Sequence, residues 1–357
     1  MTRAGSGNIR VLVVDDSALA RKILCDGLNE CDGIEVVGAA HDPYEARDLI
    51  VKLDPDVITL DVEMPKMDGV EFLRRLMPQY PKPVVMVSSL TTRGGEIAMQ
   101  ALEAGAVDLV LKPTSQVERG LEAMLLELST KVRIASTANV SEWKNRRPPK
   151  PRASPVASAG ALAVTTDKVV VIGASTGGTE AIRAVLSGLP ITCPGVVIVQ
   201  HMPAVFTKIY ADNLNKDLRL HVKQAESGDR VLAGRVFIAP GDLQMRITRS
   251  GGQYRLQCED GPKVCGHRPS VEVLMQSAAK SLGSNAVGVM LTGMGRDGAD
   301  GLLAMRKAGA RTFAQDEATS VVFGMPREAH LNGGAERLVP LRDMAGTIMG
   351  ALGKMAA

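Results

Sequence analysis

The chain has 357 residues, 45% of them hydrophobic and 23% charged, with a net charge of +3. That composition is globular rather than disordered, allows two domains of ordinary size, and is too near neutrality to argue for nucleic acid. No apolar run reaches the ~18 residues a membrane helix requires. The five cysteines (Cys25, Cys31, Cys193, Cys258, Cys265) include no CxxC pair, so neither a disulfide framework nor a cysteine metal site is expected, and a reducing cytoplasm is the default location.

At the N-terminus, MTRAGSGNIRVLVVDDS has a short apolar stretch ending at two aspartates. That is the pattern of a strand, not of a signal peptide. From about 8 to 132, strand-like runs (IRVLVV, IEVVGAA, VITL, PVVMVSS, VDLVLK) alternate with helical patterns. Five β-α units predict a doubly wound, flavodoxin-like parallel sheet, with sites beyond the carboxyl ends of its strands. Asp15 and Asp16 end the first strand, Asp61 the third, Ser88 the fourth and Lys112 the fifth. Three carboxylates gathered at one edge repel unless a hard divalent cation lies among them, and oxygen-only ligands suit Mg²⁺. A carboxylate flanked by that ion and a lysine can accept a phosphoryl group as an acyl phosphate. Alone, Asp15 and Asp16 could equally be helix caps; Asp61, Ser88 and the Lys-Pro pair tilt the reading to chemistry.

DD, then D-x-x-M-P-x-M-D-G, then a strand-end hydroxyl, then K-P resembles the response-regulator receiver domain. The resemblance implies that a histidine kinase phosphorylates Asp61. It implies that Asp16, Asp61 and the backbone carbonyl of Glu63 bind Mg²⁺ with Asp15 close by, and that Ser88 senses the phosphoryl group.

Residues 133–166 change character. They are rich in Pro, Ala, Ser and basic residues, without apolar periodicity, and read as an exposed flexible linker. Past it, residues 167–357 begin β-α-β-α (KVVVIG, TEAIRAVLSGL, GVVIVQ, AVFTKIYADNLNK). A β-rich middle follows (GRVFIAPG, LQMRIT, YRLQCE), then helix, strand, helix and strand, the last being ARTFAQ. The scheme is a second α/β, Rossmann-like domain with a small antiparallel insertion.

The turn Gly173-Ala-Ser175-Thr-Gly177-Gly178 fits neither a dinucleotide loop, which needs glycine where Ser175 stands, nor a Walker loop. It does fit G-x-S-x-G, the strand–turn–helix that presents a serine nucleophile, although the pattern alone is weak. A nucleophilic serine needs a base. Of five histidines, His201 closes the next strand, GVVIVQH, at the same predicted sheet edge. The base needs an orienting carboxylate. Asp297, in the glycine-rich turn of AVGVMLTGMGRDGAD, is favoured over Asp316; a helix N-cap is the competing role for Asp297. The order Ser…His…Asp differs from that of the α/β-hydrolases.

IGASTGGTEA, QHMPAVFT, HRPSVEVLM, LTGMGRDGADG and AQDEATSVVFGMP together resemble the catalytic domain of the CheB family of chemotaxis methylesterases. The resemblance carries over Ser175, His201 and Asp297 as a triad. It implies an oxyanion hole that includes the Met294 backbone N–H, with Thr176 shaping the site. It implies glutamate γ-methyl esters on chemoreceptor cytoplasmic helices as substrates, deamidation of certain receptor glutamines, and an unphosphorylated receiver that masks the catalytic face. No cofactor is expected for the ester reaction, and a monomer is the default. A receiver-controlled hydrolase of another ester or amide is the main alternative. A DNA-binding output domain lacks the necessary helix-turn-helix pattern, and a nucleotide-binding GASTGG loop is the third reading.

Overall fold

The computed structural model describes residues 7–65, 67–88, 92–113, 118–144 and 168–355. Most of the expected linker, 145–166, lies outside the described residues. What is described separates into two compact units, one on either side of that segment.

The first unit has strands β1 (Ile9–Val14), β2 (Ile34–Ala40), β3 (Val57–Asp61), β4 (Val84–Ser88) and β5 (Asp108–Leu111). Its helices are α1 (Ala18–Asn29), α2 (Pro43–Leu53), α3 (Gly69–Gln79), α4 (Thr92–Glu103) and α5 (Glu118–Ala135). The sheet is parallel throughout, in the order β2-β1-β3-β4-β5. Helices cover both faces of such a sheet, so its central strands are apolar without alternation. Val11 through Val14 and Val84 through Val87 are buried accordingly. Local sequence starts the helices: Ser17 caps α1, Asp42 caps α2 ahead of Pro43, and Asp68 caps α3. The chain reverses direction of travel across the sheet at β1, so the carboxyl ends of β1 and β3 meet at a topological switch point.

This unit extends past the expected boundary at 132. Helix α5 continues to Ala135, and a 3₁₀ turn follows at Ser141–Trp143. Val140 is buried, and the Trp143 ring covers Gly105, where a Cβ would sit 2.9 Å from the indole. Two apolar side chains thus tie residues 133–144 to the first unit despite their linker-like composition.

The second unit has strands β6 (Val169–Ala174), β7 (Gly195–Gln200), β8 (His221–Gln224), β9 (Arg235–Ile238), β10 (Gln244–Ser250), β11 (Gln253–Glu259), β12 (Ala286–Met290), β13 (Arg311–Gln315) and β14 (Arg337–Val339). Helices α6 (Gly178–Ser187), α7 (Ala204–Asp217), α8 (Val271–Leu282), α9 (Ala299–Lys307), α10 (Met325–Leu331) and α11 (Leu341–Lys354) surround them. Seven strands form one parallel sheet, ordered β14-β13-β12-β6-β7-β9-β8. GRVFI therefore joins the main sheet as β9 rather than the antiparallel insertion. Among the described strands, β10 and β11 alone pair antiparallel. Val236, Phe237 and Ile238 are buried on both faces, the signature of an interior parallel strand. The β10–β11 hairpin packs on α8, with Ser277 Oγ accepting from Ile247 N–H at 2.9 Å and Ser281 Oγ donating to Ile247 O at 2.8 Å. Strand β6 is the switch point here: β7 lies on one side and β12 on the other.

Candidate active site

Ser175, His201 and Asp297 come from three different strand ends around that switch point. Ser175 follows β6, His201 follows β7, and Asp297 sits in the loop after β12. The register puts Gly173 opposite both Met290 and Val199, so the three loops emerge side by side. Ser175 Oγ lies 3.2 Å from His201 Nδ1, and His201 Nε2 lies 2.8 Å from Asp297 Oδ2. The ring is used in the opposite sense to the familiar template, in which Nε2 faces the serine. The neutral tautomer that fits carries its proton on Nε2, donates it to Asp297, and leaves the Nδ1 lone pair facing Ser175.

Backbone contacts hold the three loops together. Ser175 N–H donates to Thr292 O at 3.0 Å, His201 N–H to Ala174 O at 3.2 Å, and Leu291 N–H to Gly173 O at 2.9 Å. The buried Gln200 amide donates to Ser175 O at 2.8 Å and to His201 O at 3.1 Å. Glycines let these segments approach. A Cβ on Gly293 would lie 2.7 Å from Ser175 Cβ, and Gly177 has φ +75°, a region that disfavours side chains.

Asp297 is 2% exposed and richly bonded. It accepts from Ser270 Oγ at 2.7 Å, Val271 N–H at 2.8 Å and Glu272 N–H at 3.0 Å, besides His201. These are donors at the N-terminus of α8, so Asp297 serves that helix rather than capping α9, whose N-cap is Gly298. Burial alone would raise its pKa; the donors from His201, Ser270 and Glu272 outweigh burial and hold the carboxyl below its ordinary value. An ionised carboxylate at Nε2 favours an imidazolium when His201 takes a proton.

Met294 is about half exposed, in the Gly293–Gly295 loop beside Ser175. Gly293 N–H is taken by Val322 O at 3.1 Å, whereas no acceptor among the described residues takes Met294 N–H. Thr176 is buried, and its carbonyl accepts from the Thr292 hydroxyl at 3.0 Å. The rival carboxylate, Asp316, is engaged elsewhere: it binds the Thr319 hydroxyl and, at 3.1 Å, the Thr319 N–H.

Sequence reasoning missed His267. Its ring stacks on that of His201, with centroids 3.7 Å apart and planes 11° from parallel. It also missed Ser270 and Gln200 as supports. A histidine three residues before the N-cap of α8, stacked on a strand-end histidine, is a contact that only tertiary packing creates.

In the first unit, Asp15, Asp16 and Asp61 each offer a carboxylate oxygen, all within 4.8 Å of one another. Lys112 Nζ lies 2.7 Å from Asp15 Oδ2 and 2.9 Å from Asp61 Oδ2. Asp15 and Asp61 are buried, whereas Asp16 is exposed. Burial, with Asp15 adding repulsion, pushes the Asp61 pKa up to about 6, against the pull of Lys112 and the Glu63 N–H. Burial alone would lower the Lys112 pKa; Asp61 and Asp15 more than reverse that, and it stands above its ordinary value. One ammonium against three carboxylates leaves excess negative charge, and the donor set is all oxygen, so these residues fit a hard divalent cation. Glu63 is exposed just past Asp61, and Ser88 is buried at the end of β4, its carbonyl accepting from Lys112 N–H at 2.7 Å.

A receiver-type acidic pocket in one unit and a Ser-His-Asp hydrogen-bonded chain in the other define a class: response regulators whose output domain is a hydrolase. The comparisons with known proteins are specific. Residues 11–124 match the response regulator receiver domain and residues 170–348 match the CheB methylesterase domain. A protein-glutamate methylesterase/protein-glutamine glutaminase of Syntrophotalea carbinolica is 62% identical, over 96% of this chain and 98% of its own. The Escherichia coli K12 protein of the same description is 52% identical over 94% and 95%. The crystal structure of the Thermotoga maritima CheB methylesterase catalytic domain is 36% identical, covers 52% of this chain and 99% of its own, and superposes with a TM-score of 0.51. This chain belongs to the CheB methylesterase family.

Proposed function

We propose that the protein removes γ-methyl esters from glutamates, and amide groups from certain glutamines, on the cytoplasmic helices of chemoreceptors. Ser175 is the nucleophile, His201 the general base and then acid, and Asp297 its orienting carboxylate. The observation that carries this reading is the unbroken path Ser175 Oγ–His201–Asp297 at a strand-end switch point. His201 Nδ1 takes the Ser175 proton as Oγ bonds to the γ-carbonyl carbon. The carbonyl oxygen becomes an oxyanion, to which Met294 N–H donates; Thr176 shapes the surrounding pocket. One such donor typically contributes about 10²–10³ in rate. The C–O bond then breaks, and His201 gives its proton to the departing methanol. Water attacks the glutamyl-serine ester with His201 again as base, releasing glutamate and restoring Ser175. With a glutamine the leaving group is ammonia, and the carbonyl chemistry is otherwise the same. This ester chemistry calls on no cofactor.

Asp61 is the proposed phosphoryl acceptor from a histidine kinase, Lys112 the cation that faces the phosphoryl group, and Ser88 the hydroxyl that senses it. Asp15, Asp16, Asp61 and the Glu63 carbonyl would hold Mg²⁺. Bound there, the ion neutralises part of the charge a phosphoryl group brings. Phosphorylation of Asp61 raises the access of receptor to Ser175. The protein acts as a cytoplasmic monomer; no helix among the described residues is long and apolar enough to cross a membrane.

Mass spectrometry of methylated receptor peptides, incubated with the protein and a small phosphodonor, tests this reading. Loss of methyl ester and glutamine-to-glutamate conversion are the expected outcomes. Unchanged receptor peptides alongside hydrolysis of other esters would instead favour a receiver-controlled hydrolase with a different substrate.

A further inference from the structure

At the opposite edge of the second sheet lies a cleft of about 460 Å³ between α11 and the starts of β13 and β14. Arg311 and Arg337 line one side, Arg342 and Lys354 the other, with Asp343 as the lone acid in the lining. Two of the cations are already committed: Glu336 holds Arg311 at 2.8 Å, and Asp343 lies 3.6 Å from Arg342. Among the described residues, no carboxylate pairs with Arg337 or Lys354. Like charges this close repel, yet two are held in place. The Arg311 and Arg337 guanidiniums stand 5.9 and 5.6 Å from the centroid of the buried Phe313 ring, within range of a cation–π attraction.

The floor is equally specific. Gly346 and Gly350 occupy one face of α11, one turn apart, and line the cleft. A Cβ at either would meet nothing within 4 Å, so packing does not require glycine there. Glycine is a poor helix former, and its effect at these positions is to keep the cleft open.

We propose that this cleft binds a small polyanion through two or more phosphoryl or carboxylate groups. Guanidinium groups pair bidentately with both, and the volume falls within the usual range for small-ligand pockets. Phe313 is only 1% exposed, so no aromatic face is offered for stacking and recognition is by charge. The site is separate from the triad. Arg311 aligns through Val287 with Val170, five residues before Ser175 on β6, which is about 16 Å along a strand.

Calorimetric titration of the full chain with tripolyphosphate, and separately with citrate, tests the proposal at low salt without divalent cations. Saturable binding of one equivalent is expected. Arg337→Ala with Lys354→Ala, and independently Gly350→Leu, should each weaken it at least tenfold while leaving the melting temperature and methanol release near wild type. Preference for tripolyphosphate or for citrate assigns the phosphoryl or the carboxylate chemistry. Unchanged affinity in both variants would overturn the proposal, as would binding of polyglutamate with neither small anion bound. Should Gly350→Leu prove unstable, the surface charge pair decides alone.

Discussion

Asp297 serves two structures with one carboxylate. It accepts from His201 on one side and from the first turn of α8 on the other. An amide in its place would set an NH₂ against donors. Asp297→Asn should therefore lower kcat by about 10³–10⁴ and also lower the melting temperature, as thermal scans of the variant would report. The position of Asp297 in a glycine-rich strand-end loop was legible from sequence, but its partners Ser270 and Val271 are 27 and 26 residues away. Local reading offered only an N-cap on its own helix. Asp61 makes a second residue-scale prediction. Its pKa of about 6 in the folded unit exceeds the ordinary 3.8. The folded state thus binds the extra proton between those values, and stability falls as pH rises through that window. Asp61→Asn should raise the melting transition of the first unit by about 5 °C at pH 7 in EDTA. The gap should close near pH 4, and a gap that widens on acidification would contradict the assignment.

At the scale of elements, apolar period and strand-end punctuation revealed both sheets, and with them the edge where the sites form. The sequence left open which strands of the β-rich middle join the main sheet; burial of Val236 through Ile238 on both faces marks β9 as one of them. Helix α11 and strand β14 went unread past ARTFAQ: β14 has three residues, and three glycines interrupt α11, which weakens any helical signal. The loop after β12 carries the sharpest element-scale test. Gly293 touches Ser175 so closely that a methyl group must displace one of them. Gly293→Ala should destabilise by about 1–3 kcal/mol and reduce methanol release more than receptor binding. Equal activity would mean that this loop does not set the serine's position.

For the molecule as a whole, the change in composition after the first sheet was visible, but the boundary was not. Trp143 on Gly105 and the buried Val140 carry the first unit to residue 144, and two apolar side chains in a polar stretch do not register as periodicity. Two units joined by one segment invite control of one by the other. A fragment beginning at residue 168 should hydrolyse receptor esters faster than the unphosphorylated full chain, and about as fast as the chain activated by a phosphodonor. Equal rates for all three would remove the receiver from the control of catalysis.

The central claim is that Ser175, activated by His201 and Asp297, attacks glutamyl esters on chemoreceptors. Methanol release from methylated receptor, measured under a phosphodonor with wild type and with folded Ser175→Ala, tests it most directly. The account predicts release by the wild type and a loss of at least about 10³-fold in the variant. A Ser175→Ala protein that releases methanol at the wild-type rate would contradict it.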